Sequence, residues 1–298
     1  MKINGKKALI TGIKGFTGRY MAAELSAAGY EVHGLGTVQN DGDENYHGVD
    51  LLDVPRLKNI VDAISPDVVV HLAAIANVAH SNAEAFYAIN TCGTRNLLNI
   101  LSALDTKPEA VLVASSANVY GNNISGKLNE RTPFNPANDY AISKVAMEYV
   151  ARLYSDSLPI IITRPFNYTG RGQSGDFLIP KIVKHFREQA GVIQLGNIDV
   201  WRDFSDVRNF ATHYLNLIEK KATGNVINIG SGKMYSIRET ISLCEEITGH
   251  KIKIQINPNY VRKNEIKELC GDITLLQKFS PSVEMYSFKE TLTWMLEE

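Results

Sequence analysis

An apolar run, Lys7-Ala8-Leu9-Ile10-Thr11, leads straight into Gly12-Ile13-Lys14-Gly15-Phe16-Thr17-Gly18, and a segment of helical spacing, Thr17 to Ala28, follows and stops at Gly29. Strand, glycine turn and helix in that order leave few folds open. Glycine at every third position permits a tight turn, close approach of backbone to a pyrophosphate, and close packing of helix on strand. The helix N-terminus then presents unpaired N–H groups and a positive dipole end to the phosphates. The segment therefore reads as a dinucleotide-binding loop, with Gly12, Lys14, Gly15, Phe16, Thr17 and Gly18 around the cofactor.

The rest of the chain fits that start. Short apolar runs at Glu31–Leu35, Asp67–Leu72, Ala110–Ala114, Ile160–Thr163 and Asn225–Ile229 alternate with helical patterns at Val54–Ile64 and within Ala83–Ala103. Continuous apolar strands separated by helices predict a parallel sheet buried on both faces, hence a Rossmann-type, doubly wound α/β fold. After about residue 168 the alternation weakens. Residues 1–168 and roughly 206–230 are expected to form the dinucleotide-binding domain. Residues 169–205 and 231–298 are expected to form a smaller C-terminal α+β lobe that binds substrate.

Composition excludes several partners. A formal net charge of -1 over 298 residues gives no electrostatic footprint for nucleic acid. No apolar stretch is long enough to span a bilayer, and the N-terminus lacks the pattern of a signal peptide. Cys92, Cys244 and Cys270 are scattered and unpaired, which fits reduced thiols in a cytoplasm and no metal site. The histidines show no ligand spacing, and His71 reads as a satisfied core residue.

At the end of the second strand, where an acidic residue would grip an adenosine ribose, the chain reads Gly34-Leu35-Gly36-Thr37, with no carboxylate before Asp41. Lys14 could meet a 2′-phosphate by charge attraction. Together these favour NADP(H) slightly over NAD(H). Asp50 and Leu51 are expected near the adenine edge.

Tyr140-Ala141-Ile142-Ser143-Lys144 places a phenol and an ammonium four residues apart, on one face of a helix. A fixed ammonium is expected to lower the tyrosine pKa toward neutrality and so ready it for proton exchange with a sugar hydroxyl or carbonyl. Ser115-Ser116 follows the fourth strand, at the crevice where such folds place their ligands.

The chain resembles the extended short-chain dehydrogenase/reductases, in the branch of nucleotide-sugar epimerases, dehydratases and reductases. The resemblance is carried by the glycine loop, His71-Leu72-Ala73-Ala74, Asn90 to Leu98, Ser116 with Val119-Tyr120-Gly121, Tyr140/Lys144, Arg164-Pro165-Phe166-Asn167, Arg202 to Val207, and Asn228 to Gly232. It implies a catalytic triad of Ser116, Tyr140 and Lys144, with Ser116 aligning better than Ser115. It also implies that Leu72, Ala73 and Ala74 pass under the cofactor, that Asn90 supports the site, and that the protein is a homodimer formed through two helices of each subunit.

The position two residues after the catalytic serine separates reactions within the family. Sugar 4,6-dehydratases carry glutamate there as a base, and the 3,5-epimerase/reductase that makes GDP-fucose carries cysteine. Here it is Asn118, whose amide cannot act as a base at neutral pH. Hydride delivery to a 4-keto group, or 4-epimerisation, needs only the triad and cofactor. The segments Arg164–Gln173, Asp176–Lys181, Arg202–Val207 and Val261–Ile266 are most similar to the branch that reduces GDP-linked 4-keto-6-deoxymannose. That similarity implies a nucleotide-sugar substrate held by Asn118, Asn167, Phe177, Lys181 and Arg202, with Arg262 and Glu265 at the nucleoside end. The reading is thus an NAD(P)H-dependent 4-ketoreductase. A 4-epimerase of the same fold is the alternative, and a non-catalytic dinucleotide sensor is more remote because Tyr140 and Lys144 are both present.

Overall fold

The computed structural model describes residues 5–38, 42–76, 82–121, 126–261, 267–281 and 286–297. In chain order the first half contains β1 (Lys7–Thr11), α1 (Phe16–Ala27), β2 (Glu31–Gly36), β3 (Tyr46–Gly48), α2 (Val54–Ile64), β4 (Val68–His71), α3 (Ala83–Phe86), α4 (Thr94–Ala103), β5 (Ala110–Ala114), β6 (Lys127–Leu128) and α5 (Asp139–Arg152). The second half contains β7 (Ile160–Pro165), β8 (Asn167–Thr169), α6 (Leu178–Arg187), β9 (Val192–Leu195), β10 (Trp201–Arg202), β11 (Phe204–Asp206), α7 (Val207–Glu219), β12 (Val226–Ile229), β13 (Tyr235–Ser236), α8 (Ile237–Thr248), β14 (Lys253–Ile256), β15 (Glu268–Gly271), α9 (Thr274–Phe279) and α10 (Phe288–Leu296).

The six apolar segments read from the sequence all lie in one seven-stranded sheet of order β12-β7-β5-β4-β1-β2-β3, with every pairing parallel. Its core residues are apolar because both faces are covered. On one face Leu9, Val69 and Val111 pack with Leu57 and Val61 of α2, Leu97 and Leu101 of α4, and Met147 of α5. On the other, Ile10, Val70 and Leu112 pack with Met21 and Leu25 of α1, Phe210 and Tyr214 of α7, and Leu276 of α9. The seventh strand, β3, was not expected. It is a three-residue edge strand beside β2, too short to show a period.

The helical stretch 83–103 is interrupted between α3 and α4 by a π-helical turn, Tyr87–Gly93. Such turns carry one extra residue and often occur where a side chain must be aimed at a site. The strand order changes direction between β1 and β4, so the loops after those two strands flank the crevice where such sheets bind ligands.

The remaining strands are short. A four-stranded sheet runs β13-β10-β15-β6, and two-stranded pairs join β11 to β8 and β14 to β9. Ile182 and Phe186 of α6, Ile241 of α8 and Leu292 of α10 share a separate core there.

Candidate active site

The glycine loop lies against the segment after β4. Gly12 has φ +74°, and a Cβ on it would stand 3.0 Å from Ala73 Cα. A Cβ on Gly18 would stand 2.3 Å from the Gly12 carbonyl oxygen, so α1 crosses the loop at a distance only glycine allows. Helix α1 has no side-chain cap and no acidic residue in its first turn, which leaves its N–H face suited to an anion. These features fit the pyrophosphate of a dinucleotide.

Beneath the loop, Ala73 N–H donates to Thr11 Oγ1 (3.1 Å). Thr11 Oγ1 and Thr94 Oγ1 bracket His71 at Nδ1 (2.7 Å) and Nε2 (2.8 Å). Thr94 spends its own proton on the Asn90 carbonyl, so His71 donates from Nε2 and accepts at Nδ1. Burial first, and then Lys144, lowers the imidazole pKa to about 3. His71 is a satisfied, neutral core histidine, as the sequence suggested.

The π-helical turn aims Asn90 inward. Its Oδ1 accepts Ile75 N–H (2.9 Å), and its Nδ2 donates to Ser143 Oγ (3.0 Å), which donates in turn to the Tyr140 carbonyl (2.7 Å). One fully buried amide thus ties the segment carrying Ala73 and Ala74 to α5.

Other expected cofactor residues are differently disposed. The Leu51 side chain is buried against Gly93 and its carbonyl accepts from Asn96, so it belongs to the core. Asp50 is exposed, and its Oδ1 accepts the Leu52 N–H (2.9 Å). Leu72 is half-buried against the α1–α7 face. Lys14 holds its ammonium 3.8 Å from the Tyr46 ring centroid. The Phe16 ring stacks on Tyr168 (5.9 Å), and Thr17 Oγ1 bonds Tyr168 Oη (2.7 Å), so both side chains turn toward β8.

Across the crevice the structure gathers Ser116, Tyr140 and Lys144, all buried. Ser116 caps a short helical turn, Ala117–Tyr120, where its Oγ accepts the N–H and the Nδ2–H of Asn118, both at 3.1 Å. Ser115 faces the other way and donates to Glu148 Oε1 (2.7 Å). Ser116 is therefore the strand-end hydroxyl beside the phenol.

The electrostatics correct the expectation of an acidic phenol. Burial pushes Tyr140 up to about 12; hydrogen bonding with Ser116 works against that, and Tyr168 adds to it. The spacing does put Lys144 on the face of Tyr140, but spacing does not choose the ammonium's partner. Lys144 Nζ donates to the Ala114 carbonyl (2.8 Å), and burial pulls it down to about 8 against the opposing effect of Glu148.

Behind the lysine lies an ion pair the sequence reading did not assign. Arg164 Nε and Nη2 donate to Glu148 Oε1 (2.9 Å) and Oε2 (2.8 Å), with Arg164 at 2% and Glu148 at 0% exposure. Arg164 Nη1 reaches Tyr120 Oη (3.0 Å), which donates to Asn228 Oδ1 (2.6 Å). The available signal was Glu148 falling four residues after Lys144, on the face that carries Tyr140.

The described substrate candidates other than Asn118 lie outside the seven-stranded sheet. Asn167 is exposed on β8, and Phe177, 42% exposed, precedes α6. Lys181 Nζ donates to the Gln194 carbonyl (2.9 Å) and stands 4.6 Å from the Tyr260 ring centroid. Arg202 is buried, and its Nη1 donates to the Trp201 carbonyl (2.8 Å). Arg262 and Glu265 lie outside the described residues. Asp203, unassigned by sequence, is also buried: it accepts from Ser231 N–H (2.9 Å), Ser231 Oγ (2.6 Å) and Gly232 N–H (2.9 Å), clamping the loop after β12. Among the described residues no cluster of His, Cys, Asp and Glu could hold a metal, and no helix is long and apolar enough to cross a membrane.

Comparison with known proteins matches residues 9–293 to the family model described as GDP-mannose 4,6 dehydratase. GDP-6-deoxy-D-talose 4-dehydrogenase from Aggregatibacter actinomycetemcomitans is 35% identical over 89% of this chain and 88% of its own. GDP-6-deoxy-D-mannose reductase from Pseudomonas aeruginosa is 30% identical over 98% and 97%. Among solved structures, a candidate epimerase from Burkholderia cenocepacia J2315 superposes with TM-score 0.93 at 46% identity, over 98% of this chain and 97% of that one. RMD from Pseudomonas aeruginosa, solved with NADPH, superposes with TM-score 0.86 at 29% identity over 98% of both chains. On this evidence the chain belongs to the GDP-mannose 4,6-dehydratase family, as an NAD(P)-dependent oxidoreductase of nucleotide-linked sugars.

Proposed function

We propose that this protein reduces the 4-keto group of a GDP-linked 4-keto-6-deoxyhexose, with NADPH preferred to NADH. The arrangement that supports the reading is the buried set of Ser116, Tyr140 and Lys144 beside the glycine loop, with an amide rather than a base two residues beyond the serine. A phenol held near 12 is protonated at neutral pH, so it begins as an acid, which reduction needs. The neighbour two residues beyond Ser116 is the amide of Asn118, which takes no proton from C5. The names of the two relatives, a 4-dehydrogenase and a reductase of GDP-6-deoxyhexoses, support the same reaction type.

In this reading the loop Gly12–Gly18 and the N-terminus of α1 hold the cofactor pyrophosphate, Lys14 meets its 2′-phosphate, and Ala73 and Ala74 lie beneath it. Bound NADPH supplies a hydride to C4 of the sugar. Tyr140 gives its proton to the carbonyl oxygen as that oxygen gains charge, and Ser116 bonds the phenol oxygen. Lys144, charged and fixed on the Ala114 carbonyl, offsets the phenolate left behind. Asn167 and Arg202 hold the sugar-nucleotide pyrophosphate, Phe177 and Lys181 line its path, and Arg262 with Glu265 meets the nucleoside. Residues 169–205 and 231–298 form the sugar-nucleotide lobe. Ile142 and Tyr149, exposed on α5, and Leu153 just after it suit a two-helix dimer contact.

A second reading, 4-epimerisation, is favoured by the likeness to the candidate epimerase. It would use the same Ser116, Tyr140 and Lys144 and differ in consuming no net NADPH. Incubating the protein with 4-keto nucleotide sugars and following NADPH absorbance separates the two. Stoichiometric NADPH consumption with the GDP-linked 4-keto-6-deoxymannose is expected. Interconversion of C4 epimers without net NADPH consumption would overturn the reductase reading.

A further inference from the structure

Among the described residues, two donors reach the Ser116 hydroxyl. Its Oγ accepts from the backbone N–H of Asn118 and from the side-chain Nδ2–H of the same residue. A hydroxyl has two lone pairs and one proton. With both lone pairs engaged, Ser116 can meet the Tyr140 hydroxyl only as donor. The backbone N–H would be present with any residue at 118. The Nδ2–H is specific to an amide, since aspartate or glutamate at neutral pH has no proton to give there.

We propose that Asn118 is a positioning residue that fixes the direction of the Ser116 hydroxyl proton, so that Ser116 donates to the Tyr140 oxygen and the phenol's own proton points into the crevice. Two consequences follow, and both rest on the redox reading above. The proton Tyr140 must deliver is not spent on Ser116. The phenolate formed after delivery keeps a donor already in place, with no hydroxyl rotation needed. A carboxylate at 118 would instead draw the Ser116 proton to itself, leave the phenol to donate to Ser116, and remove the acid from the substrate. Asn118 thus does more than omit a base: it sets the polarity of the relay for proton delivery.

The other groups facing Tyr140 leave this role to Asn118. Its own helix presents Lys144, tied to the Ala114 carbonyl, with Glu148 behind it paired to Arg164. From β8 and α7 come two neutral phenols, Tyr168 and Tyr214, of which Tyr168 is bonded to Thr17. Phe86 presents only a ring, 5.9 Å away.

Neutron diffraction from deuterated crystals of the cofactor-free protein tests the proposal whether or not the reductase reading holds. The expected map shows the Ser116 deuteron aimed at Tyr140 Oη and a deuteron on the Asn118 side-chain atom nearest Ser116. A Ser116 deuteron aimed at Asn118 would overturn it. The kinetic counterpart uses Asn118→Ala, a change at an exposed position that adds no charge. Losing one neutral hydrogen bond should let Tyr140 donate to Ser116 and lower kcat of NADPH-dependent turnover by about three- to tenfold. NADPH affinity should stay unchanged, and the loss should vanish in a Ser116→Ala background. An unchanged kcat, or a loss that survives in that background, would refute the relay; absence of turnover in the wild type would instead refute the reductase reading and leave the neutron result to decide.

Discussion

The strands of the seven-stranded sheet are apolar runs buried on both faces, whereas the short strands outside it lean on single buried carboxylates as well as on their own apolar core. Strands β1, β4 and β5 contribute Leu9, Ile10, Val69, Val70, Val111 and Leu112, all fully buried, and their order is set by burial on two faces. The strands outside that sheet are two to four residues long, and Phe204 of β11 and Tyr235 of β13 join their apolar core. There Asp203 clamps the loop after β12, and Asp206 pairs with Arg208 Nη2 at 2.6 Å while accepting from Thr291 Oγ1 at 2.8 Å. The Arg208 guanidinium also lies 3.6 and 3.8 Å from the ring centroids of Tyr286 and Trp294. Apolar packing tolerates sequence change while total volume is kept; a clamp built from one carboxylate does not. The seven-stranded sheet is therefore expected to be robust. The smaller sheets are expected to depend on single side chains.

The largest effect should come in the crevice above the sheet. Tyr140→Phe removes the proton donor and leaves the glycine loop intact. Turnover should fall by about 10²- to 10⁴-fold, the usual worth of a positioned acid, with NADPH affinity measured by fluorescence titration nearly unchanged. A near-normal rate would mean that the proton comes from elsewhere. Next in size is Glu148→Ala, which strands the buried Arg164 charge. Breaking such a pair from one side costs about 3–5 kcal/mol, read as a lower urea midpoint for the whole protein. If the midpoint hardly moves, the pair between α5 and β7 is not what joins sheet and site.

Asp203→Ala tests the lobe in the same way at smaller scale. It removes three short hydrogen bonds, for about 1–3 kcal/mol, and should raise the KM for the sugar nucleotide more than that for NADPH. Equal changes in both constants would erase the contrast between halves. Acid should act on the sheet half. Burial lowers His71 to about 3 and His213 to about 4, so the unfolded chain binds these protons first as pH falls through 6.5. Their neutral forms stabilise the fold above pH 6.5, and that contribution is lost on acidification. Linkage gives a loss of about 1–2 kcal/mol per histidine between pH 7 and pH 5. Urea unfolding at the two pH values measures it, and His213→Asn should flatten the dependence.

The same contrast explains what could be read from the sequence. The six longer strands of the sheet were legible because burial on both faces writes them as continuous apolar runs. The edge strand β3 was not, since Tyr46-His47-Gly48 follows Asp43-Glu44-Asn45 and carries no period. Glycine spacing located the phosphate loop, because only backbone geometry decides it. The Tyr140–Lys144 spacing gave the shared face but not the charge state, because the ammonium's partner is a carbonyl on β5 and desolvation outweighs it. That the Leu51 side chain joins the core was not legible either. The lobe's clamps join Asp203 to residues 28 and more positions away, a separation no local pattern reports.

The smallest effect concerns the outer rim of the sheet half. Lys14 is exposed, with its ammonium over the Tyr46 ring, and the end of β2 is so tight that a Cβ on Gly36 would stand 2.8 Å from the Tyr46 hydroxyl. A 2′-phosphate there would meet one solvent-screened cation, and exposed pairs are worth little. Lys14→Ala should therefore raise the KM for NADPH by only about two- to fivefold and leave that for NADH where it was. The difference between the two cofactors carries the meaning. If both constants rise together, Lys14 acts by packing on Tyr46 and steadying β3, and the preference for NADPH must be sought elsewhere. If only NADPH is affected, a rim that owes nothing to the apolar core still chooses the cofactor, and the robust half of the molecule has its own single-residue dependence at the surface.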